Sequence, residues 1–243
     1  MTYVWDMAKL FDIGRTHAPA YRAASPFPHA CFDDFLPAPA IDEVLAEFPP
    51  ADSPYWSTKV YSDTIKQDTT PGLGTETKMP SAIRRLMWQL NSGAFLIFLR
   101  HLTGIRGLVP DPYLFGGGIH QILPGGLLKI HADFNIHEFL GLHRRINVLI
   151  YLNRDWRPEW GGQIELWSRD MTRREASFDP IAGRCVIFNT SDDSYHGHPN
   201  PLACPEGVTR KSIAMYYYTA EAPAGAATKR HNTLWQRRPG ENY

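Results

Sequence analysis

A chain of 243 residues, 43% of them hydrophobic, can bury a full core as one domain, and its 25 Lys and Arg against 25 Asp and Glu leave no global field to draw in nucleic acid. Cys31, Cys185 and Cys204 are an odd set without paired short spacing, so free thiols in a reducing compartment are expected. The N-terminal stretch lacks the basic start and apolar centre of a secretory signal, and no stretch is long enough for a membrane span, so the expectation is a soluble, cytoplasmic protein of unspecified oligomeric state.

Residues 1–30 carry Pro19, Pro26 and Pro28 with little periodicity and are expected to form a strand or extended arm leading inward. Ile41, Val44, Leu45 and Phe48 then fall at helical spacing, and Pro49-Pro50 ends the helix. Residues 51–80 are polar, with Asp63, Lys66, Gln67, Asp68, Thr69, Thr70, Pro71 and Gly72 close together. They read as a long loop or lid that either contacts substrate or is simply mobile, with Tyr55, Trp56, Lys59 and Tyr61 as its adhesive edge. Ser81 is placed to cap a helix bearing Ile83, Leu86, Met87 and Leu90, and a second helix through Phe95, Phe98, Leu99 and Leu102 ends at Gly104. These helices are expected on the outside of a sheet. From Gly116 onward come short strands, "INVLIYLN", "GGQIELW", "RCVIFNT" and "SIAMYYYT", so the order of elements indicates an α+β fold. Gly116-Gly117-Gly118 lacks the Lys-Ser/Thr of a phosphate loop and reads as a strand entry, and Gly161-Gly162 as a turn.

The chemistry gathers in this second half. Side chains two apart on a strand share a face, so His131 and Asp133 of "LLKIHADF" can reach one ion. Sixty-three residues after Asp133, an apolar strand runs into the polar turn that carries His196. Two imidazoles and one carboxylate fill three corners of an octahedron and leave three open, the arrangement used by non-haem Fe(II) oxygenases. His198 is an alternative third ligand. Fourteen residues beyond His196, Arg210 and Ser212 share a face of the next strand, and a guanidinium with a hydroxyl suits a carboxylate. Arg144 and Arg145 are adjacent, so at most one enters the pocket, whereas Asn147 and Tyr151 share the period of two and are placed on the pocket side. His120, His137 and His143 are extra imidazoles in the same region, most of them expected to be ordinary hydrogen-bonded or solvated histidines.

From about Gly116 to Thr219 the chain resembles the 2-oxoglutarate- and Fe(II)-dependent dioxygenases, specifically the prolyl-4-hydroxylase-like branch. The resemblance rests on "HADF", "RRINVLIYLNRDW", "GGQIELW", "SYHGHP" and "TRKS" in the family's order. It implies a double-stranded β-helix, a jelly-roll or cupin-like core whose mouth holds the metal, with flanking N-terminal helices. One domain would span 1–243: arm, helices and lid in 1–115, catalytic β-core in 116–219 and a C-terminal extension in 220–243. By the same resemblance His131, Asp133 and His196 ligate Fe(II), the histidine of "SYH" being preferred to His198. Arg210 and Ser212 clamp the distal carboxylate of the cosubstrate 2-oxoglutarate, Asn147 and Tyr151 lie on the cosubstrate side of the pocket, and O2 is the second cosubstrate. The family's Tyr eight residues before the first His is replaced here by Leu123. Related halogenases put a small residue where Asp133 stands, so the implied reaction is hydroxylation of an aliphatic C–H of a small molecule or amino-acid derivative, with release of succinate and CO2. A prolyl side chain of a protein is the alternative substrate. A non-catalytic cupin-like binding module would not need Arg210 and Ser212, and a zinc hydrolase would need a general base for which no motif is seen. No nucleic-acid or membrane partner is expected.

Overall fold

Asp6 opens the first helix, its Oδ1 accepting from the amides of Ala8 (3.0 Å) and Lys9 (3.2 Å), two donors that a helix start leaves without partners. The computed structural model describes residues 2–61, 64–69, 75–227 and 229–240. Helix α1 (Met7–Ala23) and strand β1 (His29–Phe32) replace the extended arm expected for residues 1–30. The helix has a buried face, Leu10, Gly14, Ala18 and Tyr21, but its two middle members are small. A Cβ on Gly14 would lie 3.0 Å from the Phe98 carbonyl oxygen, so the missing side chain is what lets α1 approach its neighbour.

Helix α2 (Ala38–Ala46) carries Ile41 and Val44 inward and stops short of Pro49. The stretch read as one loop instead holds strands β2 (Trp56–Tyr61) and β3 (Thr64–Thr69) and a single turn, α3 (Thr75–Lys78). Backbone pairing of Gln67 with Gln121 and of Asp68 with His120 joins this hairpin to a neighbouring strand. Asp63 and the run Thr70 to Gly72, part of the expected lid, lie outside the described residues. Helix α4 (Ser81–Leu90) is capped differently from the expectation: Pro80 occupies the cap position. Glu47, at the end of α2, accepts from Ser81 Oγ (3.0 Å) and from the Ala82 amide (2.8 Å). Helix α5 (Gly93–Thr103) opens on Ser92, whose Oγ accepts from the Phe95 amide, and closes on Gly104 at φ 79°.

The remaining strands are β4 (Val109–Pro110), β5 (Gly118–Ile122), β6 (Leu128–Ala132), β7 (His143–Tyr151), β8 (Ile164–Trp167), β9 (Arg174–Phe178), β10 (Cys185–Asn189), β11 (His196–His198), β12 (Arg210–Thr219) and β13 (Leu234–Trp235). They form two antiparallel sheets, one in the order β1-β10-β7-β12-β5-β3-β2 with β4 beside β12, the other β13-β6-β11-β8-β9. This is a double-stranded β-helix. Strict alternation sorts its central strands: Ile213, Met215 and Tyr217 of β12 and Ile146, Val148 and Ile150 of β7 point to the helices and join their core. The intervening residues face the second sheet. The Tyr217 hydroxyl donates to the Leu90 carbonyl oxygen (2.9 Å), tying β12 to the end of α4. Among the described residues the three cysteines are unbridged, and no helix is long and apolar enough to cross a membrane.

Gly14→Val should therefore push α1 off α5 and lower the unfolding free energy by about 1–3 kcal/mol, the usual cost of overpacking. Urea denaturation monitored by tryptophan fluorescence measures it, and undiminished stability would show that the helix contact yields freely.

Candidate active site

Between the two sheets lies a cavity of about 290 Å³. His131 on β6 and His196 on β11 are direct cross-strand partners, and Asp133 follows β6 by one residue. One donor atom from each of His131, Asp133 and His196 lies within 4.8 Å of the others. The two Nδ1 atoms face backbone carbonyl oxygens, His131 that of Lys129 and His196 that of Ser194, each at 2.8 Å. That contact assigns the ring proton to Nδ1 and leaves the Nε2 lone pair free. Both Nε2 atoms then face the carboxylate, His131 at 3.7 Å from Oδ1 and His196 at 3.5 Å from Oδ2. Burial pushes the His196 pKa down to about 4 despite the nearby carboxylate, so at neutral pH its ring carries no second proton. Two ring nitrogens and a carboxylate oxygen converging at this spacing can share one cation. The donor set, two nitrogens and an oxygen, fits Fe(II).

Burial alone would raise the Asp133 pKa, but the Arg144 guanidinium and the two imidazoles outweigh it and hold the carboxyl well below its usual range. Arg144 is the arginine of its pair that enters the cavity. Its Nη2 lies 3.0 Å from Asp133 Oδ2, and its Nε and Nη2 donate to Asn147 Oδ1 at 3.0 and 2.8 Å. Its guanidinium sits 3.5 Å from the centre of the Tyr216 ring. Arg145 turns to the other face and donates to Thr219 Oγ1 (3.0 Å). Asn147, expected on the cosubstrate side, spends its amide here: Nδ2 donates to Asp133 Oδ2 at 2.8 Å.

The other end of the cavity is built around Arg210. Its side chain is buried; Nε donates to the Gly162 carbonyl oxygen (2.7 Å) and Nη2 lies 3.4 Å from the Tyr151 hydroxyl. Tyr151 is itself pushed up to about 12 by burial and stays protonated. Arg210 pairs with no carboxylate among the described residues, and its burial lowers its own pKa. Ser212 lies in the same wall, directly across from Tyr151. His198 lines the cavity without joining the His-Asp-His cluster, as does His120, while Leu123 follows β5 and is not part of the lining. His137 is structural: its Nε2 lies 3.2 Å from Asp111 Oδ1, and Asp111 also accepts from the amides of Tyr113 and Phe115 at the mouth.

Two contributors lay beyond sequence reasoning. Trp235, 49% exposed, comes from β13, which pairs with β6 opposite His131, and its ring lies 5.1 Å from the His131 ring. Nothing in a two-residue strand after a polar stretch announces it. Gly162, read as a turn without a chemical role, supplies the carbonyl that holds Arg210; its φ of 78° is the one signal that a turn glycine would have offered.

Fold and cluster together give a double-stranded β-helix with a three-residue cluster that could hold one metal ion. Residues 117–218 match the family model described as the 2OG-Fe(II) oxygenase superfamily. The matched segment carries the His131, Asp133 and His196 cluster together with Arg210. The fold is shared with a Trichoplax adhaerens prolyl hydroxylase solved with a hypoxia-inducible-factor peptide (TM-score 0.64, 18% identity, 90% of this chain and 94% of that one). It is shared too with a Phytophthora capsici prolyl 4-hydroxylase (0.59, 17%, 90% and 68%). HygX of Streptomyces hygroscopicus, solved with nickel, 2-oxoglutarate and hygromycin B, is similar as well (0.56, 14%, 90% and 97%).

A Cβ on Gly162 would lie 2.7 Å from Leu202 Cδ2 and 3.0 Å from Arg210 Cδ. Gly162→Ala should cost about 1–3 kcal/mol of stability through its positive φ and this contact, read by denaturant titration. Wild-type stability in this variant would mean that the turn relaxes without moving Arg210.

Proposed function

We propose that the protein hydroxylates an aliphatic C–H bond of a small molecule or amino-acid derivative, consuming 2-oxoglutarate and O2 and releasing succinate and CO2. One observation carries this reading: a single cavity holds three converging electron-pair donors at one end and, at the other, a buried guanidinium without an acidic partner. The first asks for a cation and the second for an anion. In this reading His131, Asp133 and His196 hold iron on one face, and Arg210 and Ser212 hold the distal carboxylate of 2-oxoglutarate beside the Tyr151 hydroxyl. Iron, when bound, supplies the activation of O2 coupled to oxidative decarboxylation of the 2-oxo acid.

The chain's own groups do the rest. Arg144 and Asn147 grip Asp133 Oδ2, which leaves Oδ1 to face the metal position and fixes the carboxylate plane. The Nδ1 contacts to Lys129 and Ser194 hold both imidazoles in the ligating tautomer. The rings of Phe134, Tyr216 and Trp235 keep water from the mouth. A small substrate is favoured by the cavity, whose volume of about 290 Å³ sits at the low end for ligand pockets.

Asp133→Ala should abolish both Fe(II) binding and substrate-dependent succinate formation, even with iron in excess. An anaerobic Fe(II) titration with parent affinity would remove Asp133 from the ligand set. Arg210→Ala should raise the 2-oxoglutarate requirement by two orders of magnitude or more while iron still binds, since each charge-assisted hydrogen bond is worth roughly 1.5–3 kcal/mol. Arg210→Lys should recover part of the loss, the fork being gone. Unchanged cosubstrate affinity in Arg210→Ala would move the clamp elsewhere. A screen for substrate-stimulated succinate, run with amino-acid derivatives and prolyl peptides side by side, tests the substrate class; stimulation by peptides alone would overturn the small-molecule reading.

A further inference from the structure

Two buried imidazoles in the cavity have no part in the reaction as set out above. His120 on β5 and His198 on β11 are 6% and 3% exposed, and both line the cavity. Strand register determines where they stand. His120 lies directly across from Ser212, and Ser212 directly across from Tyr151, so the three form one row over adjacent strands of the larger sheet. Cross-strand partners of this kind hold their Cβ atoms about 4.5–5.5 Å apart, which puts the His120 imidazole beside the Ser212 hydroxyl. His198 comes from the opposite sheet. It is two residues beyond His196 on the same face of the strand, and its partner on β6 is Leu128 instead of His131. On the other side β11 runs along β8 with His196 against Leu166 and Gly197 against Glu165. The next step leads toward Ile164 and so toward Gly162, whose carbonyl holds Arg210. His198 is therefore displaced from the metal cluster in the direction of Arg210.

Arg210 cannot satisfy a buried carboxylate unaided. Its Nε is spent on Gly162 and its Nη2 leans on Tyr151, so three of its five N–H donors are left for the anion. A carboxylate offers about four lone-pair sites, and those left unmet in a dry cavity are costly. Neutral imidazoles add donors without adding charge, so one anion against one guanidinium stays balanced.

We propose that His120 and His198 each donate an imidazole N–H to the distal carboxylate of the bound 2-oxo acid, completing with Arg210 and Ser212 a four-residue site selective for a dicarboxylic cosubstrate. The inference rests on the reading of this cavity as the 2-oxoglutarate site.

The test uses the full chain loaded with Mn(II) under anaerobic conditions, titrated calorimetrically with 2-oxoglutarate and, separately, with 2-oxopentanoate, which keeps the 2-oxo acid end and lacks the distal carboxylate. His120→Met and His198→Met should each weaken 2-oxoglutarate binding by about 10-fold or more, leaving 2-oxopentanoate and Mn(II) affinities within about two-fold. His120→Gln, similar in shape and still a donor, should recover most of the loss. Equal 2-oxoglutarate affinity in the wild type and both Met variants would overturn the proposal, and a matching loss for 2-oxopentanoate would reduce the histidines to wall packing and overturn it as well. Arg210→Ala separates the two levels: if it weakens 2-oxoglutarate while the histidine variants do not, the cavity reading stands and this inference fails. If Arg210→Ala has no effect, both fail. Should a Met variant not melt cooperatively, 15N-histidine NMR of the Zn(II)-loaded wild type decides the matter, since 2-oxoglutarate but not 2-oxopentanoate should shift two imidazole N–H resonances beyond those of the metal ligands.

Discussion

The side-chain alternation of β12 is the constraint on which the rest of the molecule depends. The strand is paired with β5 from Arg210 to Ala214 and with β7 from Ser212 to Thr219, and its odd residues are locked into the helix core, with Tyr217 reaching the Leu90 carbonyl. A slip of one residue would send Ile213, Met215 and Tyr217 into the cavity and bury Arg210 and Ser212 among the helices. The apolar packing on one side therefore sets the polar wall on the other. The same pairing carries the order onward to Tyr151 and Asn147 on β7 and to His120 on β5, so one register aligns groups from three strands. The helices, far from the chemistry, hold that register in place.

Two buried arginines in one cavity show how burial and partnership divide the work. Arg144 is neutralised by Asp133 and braced by Asn147 and the Tyr216 ring, so its charge is spent on holding an acidic side chain still. Arg210 has a carbonyl and a phenol for company, neither of which compensates a charge. A buried cation without a counter-ion is expensive, and the fold carries that cost at the place where an anion can relieve it. At the opposite end the expense has the other sign, three electron-pair donors facing one another. The cavity is thus polarised in a way that suits a chelating anion lying between a metal and a guanidinium.

Much of the site was legible in the sequence because it rests on the period of two. His131 with Asp133, Arg210 with Ser212, and Asn147 with Tyr151 all share a face for that reason, and the cavity collects all six. What escaped the sequence has physical causes. Helix α1 hides because its buried face uses Gly14 and Ala18, chosen for closeness to α5 and not for hydrophobicity, and Pro19 within it reads as a breaker. The β2–β3 hairpin hides because its strand character comes from pairing with β5 and not from apolar alternation. Ser81 looked like a cap, but Glu47, thirty-five residues before the amide it receives, does that work. Trp235 and the Gly162 carbonyl are tertiary facts, visible only once the C-terminal strand lies on β6 and the turn before β8 lies against Arg210.

The pairing of His131 with His196 has a consequence for the folded state as a whole. The two residues are 65 positions apart in the chain yet adjacent across β6 and β11, so an ion shared between them is a non-covalent staple across the smaller sheet. Whatever binds the folded form and not the unfolded one stabilises it in proportion to the logarithm of its free concentration, and closing a loop of this length removes entropy from the unfolded chain as a cross-link does. Filling the site and holding the smaller sheet together are in this way the same equilibrium: a protein starved of the ion gives up part of the tie between two strands of its barrel.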